Sequence, residues 1–201
     1  MNNIKPKPSI NKEIVIFASG TGTNAENIIN YFNTIDNVKV SHVFSNNPNA
    51  KVLHKAHFKN VPAGVFDRES FYETNEMLDL LKKIQPDLII LAGFLWLIPS
   101  SIIRAFPNQI INIHPALLPK YGGKGMYGDY VHKAVLANKE KNSGITIHYV
   151  NEAYDEGQII KQFEVDLEDV DTLRTLRDKI HILEYDNYPQ VIHELLNNNQ
   201  S

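Results

Sequence analysis

Leu88-Ile89-Ile90-Leu91-Ala92 is an unbroken apolar run that follows a proline-terminated segment and leads into Gly93-Phe94. Successive side chains of a strand point to opposite faces, so a strand with no polar position must be covered on both sides. That is the signature of a mostly parallel sheet between two helical layers, not of an antiparallel sheet with one wet face. The stretch from Glu69 to Ile84 mixes apolar and charged residues at helical spacing and stops ahead of Pro86, because the residue before a proline avoids the α region. Towards the N-terminus, Ile14 to Ala18, Ala25 to Phe32, Val38 to Phe44, Ala50 to Phe58 and Val61 to Phe66 alternate strand, helix, strand, helix, strand. The order predicts an α/β, doubly wound, single-domain fold: a mostly parallel open sheet covered by helices on both faces.

Towards the C-terminus, Ile111-Asn112-Ile113-His114 reads as a further strand, followed by a glycine-rich loop from Tyr121 to Gly128 and a helix from Tyr130 to Ala137. Gly144 to Val150 and Gln158 to Val165 then alternate like strands around the acidic turn 151–157, which predicts an antiparallel C-terminal pair at the sheet edge. Asp171 or Thr172 caps a last helix running towards Leu196. Residues 13–196 form the expected domain, with a phosphate-binding N-terminal half and a catalytic C-terminal half. Residues 1–12 and 197–201 are expected to be disordered tails.

The 201 residues are 43% hydrophobic, enough for one sizeable core. A net charge of -3 of mixed sign offers no basic surface for nucleic acid, so small-molecule substrates are expected. The absence of cysteine excludes disulfides, thiolate catalysis and cysteine-held metals. Neither a signal peptide nor a membrane span is expected, and the composition fits a cytoplasmic enzyme.

Two places carry chemistry. Ser19-Gly20-Thr21-Gly22-Thr23-Asn24 joins the first strand to the first helix, where unpaired N–H groups and the helix dipole favour a phosphate. The glycines formally satisfy a dinucleotide fingerprint, but His42-Val43-Phe44-Ser45-Asn46-Asn47 places no acid at the second strand end for a ribose, which argues against nicotinamide. A tight strand–helix turn with Asn24 as its cap is the bland reading. Arg68, after the third strand, can supply a second phosphate contact or be a solvated arginine.

The second place is Asn112 and His114, two residues apart on one strand and so on one face, with Asp155 in the later turn. A carboxylate beside a histidine favours the charged ring, raising its pKa above about 6.5. Asn112 adds a neutral donor, and two donors aimed at one oxygen make an oxyanion site for attack of an amine on a carbonyl. Asp155 as a turn former and Asn112 as a strand-end partner for backbone are the structural alternatives. His54 and His57 are expected on the surface. His148 alternates into the strand Ile147–Tyr149, His132, His181 and His193 lie on helical patterns without companions, and no metal is assigned.

Taken in order, Ser19 to Asn24, Val43-Phe44-Ser45-Asn46, Phe66-Asp67-Arg68-Glu69, Leu91-Ala92-Gly93-Phe94, Asn112-Ile113-His114-Pro115 with Leu117 to Tyr121, and the Asp155 turn resemble the phosphoribosylglycinamide formyltransferases (GAR transformylases). These are folate-dependent enzymes of purine biosynthesis with a Rossmann-like fold, and the resemblance covers about residues 13 to 195. It implies transfer of the formyl group of 10-formyltetrahydrofolate, as co-substrate, to the amine of glycinamide ribonucleotide, by a monomer or homodimer without metal or nicotinamide. It further implies that Gly22, Thr23, Asn24 and Arg68 hold the phosphate, that Glu184 receives the glycinamide amine and that Pro115 walls that pocket. Leu95, Trp96, Leu97 and Ile98, together with Asn112, take the pterin, while Asn112, His114 and Asp155 are catalytic. Trp96 stands where many relatives carry Arg, Glu156 where many carry Gly, and the Gly122–Gly128 loop lacks their histidines, with Lys124 or Tyr127 as replacements. Other formyl-folate enzymes, a hydrolase or a sugar-nucleotide transferase, share the Asn-x-His and Asp signature. A non-catalytic nucleotide-binding module would need only the phosphate loop.

Overall fold

Ile14 and Ile16 pack on one side of strand β1 (Lys12–Phe17), and Val15 and Phe17 pack on the other. In the computed structural model, which describes residues 12–198, the same division holds in the run Leu88 to Ala92. Leu88, Ile90 and Ala92 join one core and Ile89 and Leu91 the second. This central strand, β4 (Leu88–Leu91), is buried along its whole length. Burial of such side chains on both faces is worth about 1.5–3 kcal/mol each, which is why no polar position interrupts it.

Between β1 and β4 lie α1 (Thr23–Phe32), β2 (Val38–Ser45), α2 (Lys51–Phe58), β3 (Ala63–Val65) and α3 (Glu76–Ile84). After β4 come α4 (Ser100–Ala105), β5 (Ile110–His114), α5 (Asp129–Ala137), β6 (Asn142–Tyr149), β7 (Ile159–Asp166) and α6 (Leu173–Asn198). The sheet order is β3-β2-β1-β4-β5-β6-β7. Strands β3 to β5 are parallel, whereas β5–β6 and β6–β7 are antiparallel. Helices α1, α2, α5 and α6 contribute to the first core, and α3 and α4 to the second. The fold is the expected α/β sheet with its antiparallel edge. Among the described residues no helix is long and apolar enough to cross a membrane.

Three local expectations change and one alternative is resolved. The segment Glu69 to Ile84 is not one helix: Glu69–Glu73 forms a single π turn closed by the Thr74 N–H on the Glu69 carbonyl at 2.9 Å. Thr74 is extended, and α3 starts afresh after Asn75. The break lets Phe71 reach the second core, where it stacks on Phe66 at 4.8 Å. Helix α4 was not anticipated, because six residues after Pro99 are too short for periodicity to register. Of the two expected caps of α6, Thr172 is the one that forms, its Oγ1 accepting the Thr175 N–H at 3.2 Å, while Asp171 binds Lys179 Nζ at 2.7 Å. Finally, Lys12 belongs to β1, not to a tail; its register partner is Val38 and its Nζ meets Asp87 at 2.9 Å. Asn197 and Asn198 likewise continue α6. The rest of the expected tails, residues 1–11 and 199–201, lies outside the described residues.

Candidate active site

The strand order reverses between β1 and β4. Loops leaving the carboxyl ends of two such strands diverge to opposite faces and open a crevice, the usual ligand site of an open α/β sheet. A cavity of about 770 Å³ occupies it, a size suited to small organic ligands. Its walls are the loop after β1 (Gly20 to Asn24), the exit of β4 (Leu91 to Ile98), the end of β5 (Asn112 to Pro115) and the glycine loop (Gly123 to Gly128). The Asp155 turn and one face of α6 close it. Two bonds lace the first two walls together: Ser19 N–H donates to the Gly93 carbonyl and Leu95 N–H to Ser19 Oγ, both at 3.0 Å.

Gly22 sits at the start of α1 with φ 68°, a left-handed conformation that glycine adopts without strain. It, and not Asn24, is the cap residue, and no side chain bonds the helix end. The first-turn N–H groups of α1 therefore look to a ligand or water. Asn24 turns instead to α6, where its Nδ2 donates to Glu184 Oε2 at 3.0 Å. This tie brings Glu184 to the loop after β1 across the helix pair. Arg68 is not in the cavity wall with Gly22, Thr23 and Asn24: its guanidinium lies over the rings of Tyr72 (5.2 Å) and Trp96 (5.1 Å). The aromatic faces attract the cation there. Leu95, Trp96, Leu97 and Ile98 all line the cavity, as does Pro115.

The expected trio does converge. Asp155 Oδ2 lies 3.5 Å from His114 Nδ1 and accepts the Gly123 N–H at 3.0 Å, while Oδ1 lies 3.5 Å from Asn112 Nδ2. His114 Nε2–H donates to the Tyr121 carbonyl at 2.8 Å. That bond fixes the ring and leaves Nδ1 for Asp155 and the cavity. Asp155 itself has φ 58°, a left-handed backbone that Asp and Asn tolerate better than other side chains.

A fourth residue completes the group. His148 is the register partner of Asn112 across the antiparallel β5–β6 pair. Its Nδ1–H donates to the Tyr149 carbonyl at 2.8 Å, and its Nε2 sits 3.2 Å from Asn112 Nδ2 and 3.6 Å from Asp155 Oδ1. Sequence periodicity placed His148 in a strand but could not say which residue would lie opposite. His132 and His181, set aside as lacking companions, also line the cavity, and His181 Nδ1 is 3.7 Å from Glu184 Oε2. In the glycine loop, Lys124 and Tyr127 both face the cavity.

Electrostatics reverses one expectation. Burial of His114 lowers its pKa below the ordinary 6.5, outweighing the opposing pull of Asp155 and the Tyr121 carbonyl. The ring is only 3% exposed, so the loss of hydration of the charged form dominates. This favours the neutral ring near pH 7. Burial also works to raise the Asp155 carboxyl, yet His148, His114 and the Gly123 N–H hold it below its ordinary 3.8. Burial likewise lowers His132.

These shifts carry a stability sign. A histidine whose folded pKa is depressed binds more protons unfolded, so its contribution is present above about 6.5 and is lost as pH falls through the folded value. His181 acts in the opposite sense, raised first by its bond to Glu184, but its side chain is 45% exposed and water screens the pair. The melting temperature is expected to fall as pH drops from 6.5 towards 5, and His132→Gln is expected to flatten that fall. Identical slopes for the two proteins would refute the assignment.

Residues 12–192 match the family model described as formyl transferase. Among curated proteins, the chain is 34% identical over 190 residues to the phosphoribosylglycinamide formyltransferase of Bacillus subtilis, covering 92% of this chain and 95% of that one. It is 37% identical over 187 residues to the chloroplastic enzyme of that name from Arabidopsis thaliana, covering 90% of this chain and spanning 64% of the plant protein's length. The crystal structure of phosphoribosylglycinamide formyltransferase from Bacillus halodurans superposes with a TM-score of 0.82 at 36% identity, covering 92% of this chain and 95% of that one.

Proposed function

This chain belongs to the formyl transferase family, and from that premise we propose that it transfers the formyl group of 10-formyltetrahydrofolate to the amine of glycinamide ribonucleotide in purine biosynthesis. The observation that carries the reading is the convergence of Asn112, His114 and Asp155 in the same cavity as the open N-terminus of α1. An amide donor and a histidine beside a buried carboxylate suit a carbonyl that gains negative charge, and a helix N-terminus suits a ribose phosphate.

The amine lone pair attacks the formyl carbon, and the C=O electrons move to oxygen. Asn112 Nδ2–H donates to that oxygen. His114, a neutral ring whose Nδ1 carries no proton, takes one there from water in the cavity as the oxyanion develops, because an adjacent negative charge offsets the desolvation that otherwise keeps the ring neutral. Asp155 adds to that attraction and, through the Gly123 N–H, orders the glycine loop over the reaction. Collapse of the intermediate breaks the bond to the folate nitrogen, which takes the Nδ1 proton and leaves as tetrahydrofolate. The backbone of Gly22, Thr23 and Asn24 holds the phosphate, Glu184 meets the glycinamide amine beside Asn24, and Pro115 packs against that group. Leu95, Trp96, Leu97 and Ile98 take the pterin, and Arg68 joins the phosphate grip by leaving the rings of Tyr72 and Trp96. Holding the amine and the formyl carbon in line supplies much of the rate.

The test is the absorbance change as 10-formyltetrahydrofolate is consumed, with and without glycinamide ribonucleotide, and with an amino-sugar nucleotide as control acceptor. Ribotide-dependent turnover is expected. Consumption without acceptor would mark a hydrolase, and tight ribotide binding without turnover would mark a binding module; either overturns the reading.

A further inference from the structure

Four histidines line the cavity, and they differ in what holds their rings. His114 and His148 each have one N–H fixed on a backbone carbonyl, of Tyr121 and Tyr149, and His181 faces Glu184. His132 is different. It stands on α5, behind the glycine loop, is 5% exposed and has its Nδ1 buried with no partner. A buried imidazole usually has its nitrogens satisfied. One without a fixing bond is not held to one tautomer, and its remaining nitrogen, Nε2, is the atom through which the ring can meet a bound group.

We propose that His132 is the acceptor of the proton that the substrate amine sheds on attacking the formyl carbon. The inference rests on the transferase reading above. Formyl transfer removes one proton from the attacking nitrogen and delivers one to the departing folate nitrogen. His114 faces the carbonyl oxygen and the leaving side, with its Nε2 held on the Tyr121 carbonyl, so a single ring would have to serve both ends of the reaction. A second, unfixed imidazole divides the work. As the N–C bond forms, the attacking nitrogen becomes positive and its proton passes to His132 Nε2. As the C–N bond to folate breaks, the proton on His114 Nδ1 passes to the folate nitrogen. Turnover then leaves His132 protonated and His114 neutral; His132 releases its proton to water in the cavity, repaying the one that His114 took from it, and both rings end neutral as they began. No other reactant is needed, and the atoms balance over one cycle.

The surroundings of His132 fit an acceptor that is empty at neutral pH and tolerates a charge briefly. Asp129 on its own helix and Glu184 on α6 favour its protonated form, while burial, Arg177 on α6 and His114 on β5 oppose it. Arg177 is largely occupied, its Nη2 pairing with Asp129 Oδ2 at 2.7 Å. Glu184, tied to Asn24, stands at the phosphate loop where the ribotide is held.

The experiment compares the pH profiles of the wild type, His132→Gln and His132→Asn, with glycinamide ribonucleotide and 10-formyltetrahydrofolate. In both variants kcat is expected to fall by about 10²–10⁴-fold with KM for the ribotide within threefold. The acidic limb of the wild-type kcat/KM profile is expected to shrink in the variants, and added imidazole to restore part of the rate. A rise in KM at unchanged kcat would make His132 a binding residue, and lowered thermal stability with normal kinetics a structural one; each overturns the proposal. So does a wild-type profile with no acidic limb. A wild type that shows no ribotide-dependent transfer fails the function itself, whereas an active wild type with unaffected variants fails this inference alone.

Discussion

Asp155→Asn is expected to lower kcat by about 10²–10⁴-fold while leaving the melting temperature within a few degrees of the wild type. The amide is the same size, and asparagine accepts the left-handed backbone at φ 58°. What changes is charge. One carboxylate oxygen accepts the Gly123 N–H at 3.0 Å and faces His114 at 3.5 Å, and the other faces Asn112 and His148. Burial already depresses His114. Removing the neighbouring negative charge depresses it further, so the ring gains its proton less readily when the oxyanion forms. An interaction made mainly in the transition state affects kcat and kcat/KM together and leaves ribotide affinity alone. Steady-state kinetics beside a thermal melt checks this. A kcat within threefold of the wild type, in a protein that melts normally, would remove Asp155 from the chemistry.

Gly22→Ala is expected to act on the other half of the cavity, with a loss of about 2–5 kcal/mol of stability and at least a tenfold rise in KM for the ribotide. An added Cβ would lie 2.5 Å from Val52 Cβ and 2.9 Å from Val52 Cα, and the latter is backbone that cannot rotate away. The position also has φ 68°, where a side chain is strained even in open space. Relief requires α1 and α2 to separate, which pulls on the bond from Val52 N–H to the Gly20 carbonyl. The N–H groups proposed to hold the phosphate move with α1. Tight ribotide binding and an unchanged melt in the alanine variant would show that neither the turn nor the phosphate grip depends on this glycine.

How much of this was legible in the sequence depends on whether the deciding interaction was local. Leu88 to Ala92 announced a strand buried on both faces because its own composition required it. Asn112 and His114 share a face by strand periodicity, and Asp155 sat in an identifiable turn. His148 could not be paired with Asn112 until the β5–β6 register was known, because nothing in either strand alone sets the offset between them. Arg68 could be read as a phosphate contact or a solvated arginine, but its position over the rings of Tyr72 and Trp96 depends on a residue distant in sequence, Trp96, that no local pattern brings to it. The break at Thr74 follows from the demand that Phe71 reach the core, a tertiary requirement that helical spacing cannot register. The protonation of His114 was misjudged for a related reason: an acid nearby can be read from a motif, but the extent of burial that outweighs it cannot.

The antiparallel seam along β5 has a consequence for how this activity can diversify. Asn112, His114, the Tyr121 carbonyl, Gly123, His148 and Asp155 all come from one continuous stretch that begins on β5 and ends in the turn after β6. The other walls of the cavity come from elsewhere, from the loops after β1 and β4 and from α6. On the function proposed above, the reaction and most of the recognition are thus written in separate parts of the chain. A lineage can exchange its acceptor by altering the flanking parts while inheriting the reactive stretch intact, much as a tool keeps its blade when its handle is replaced.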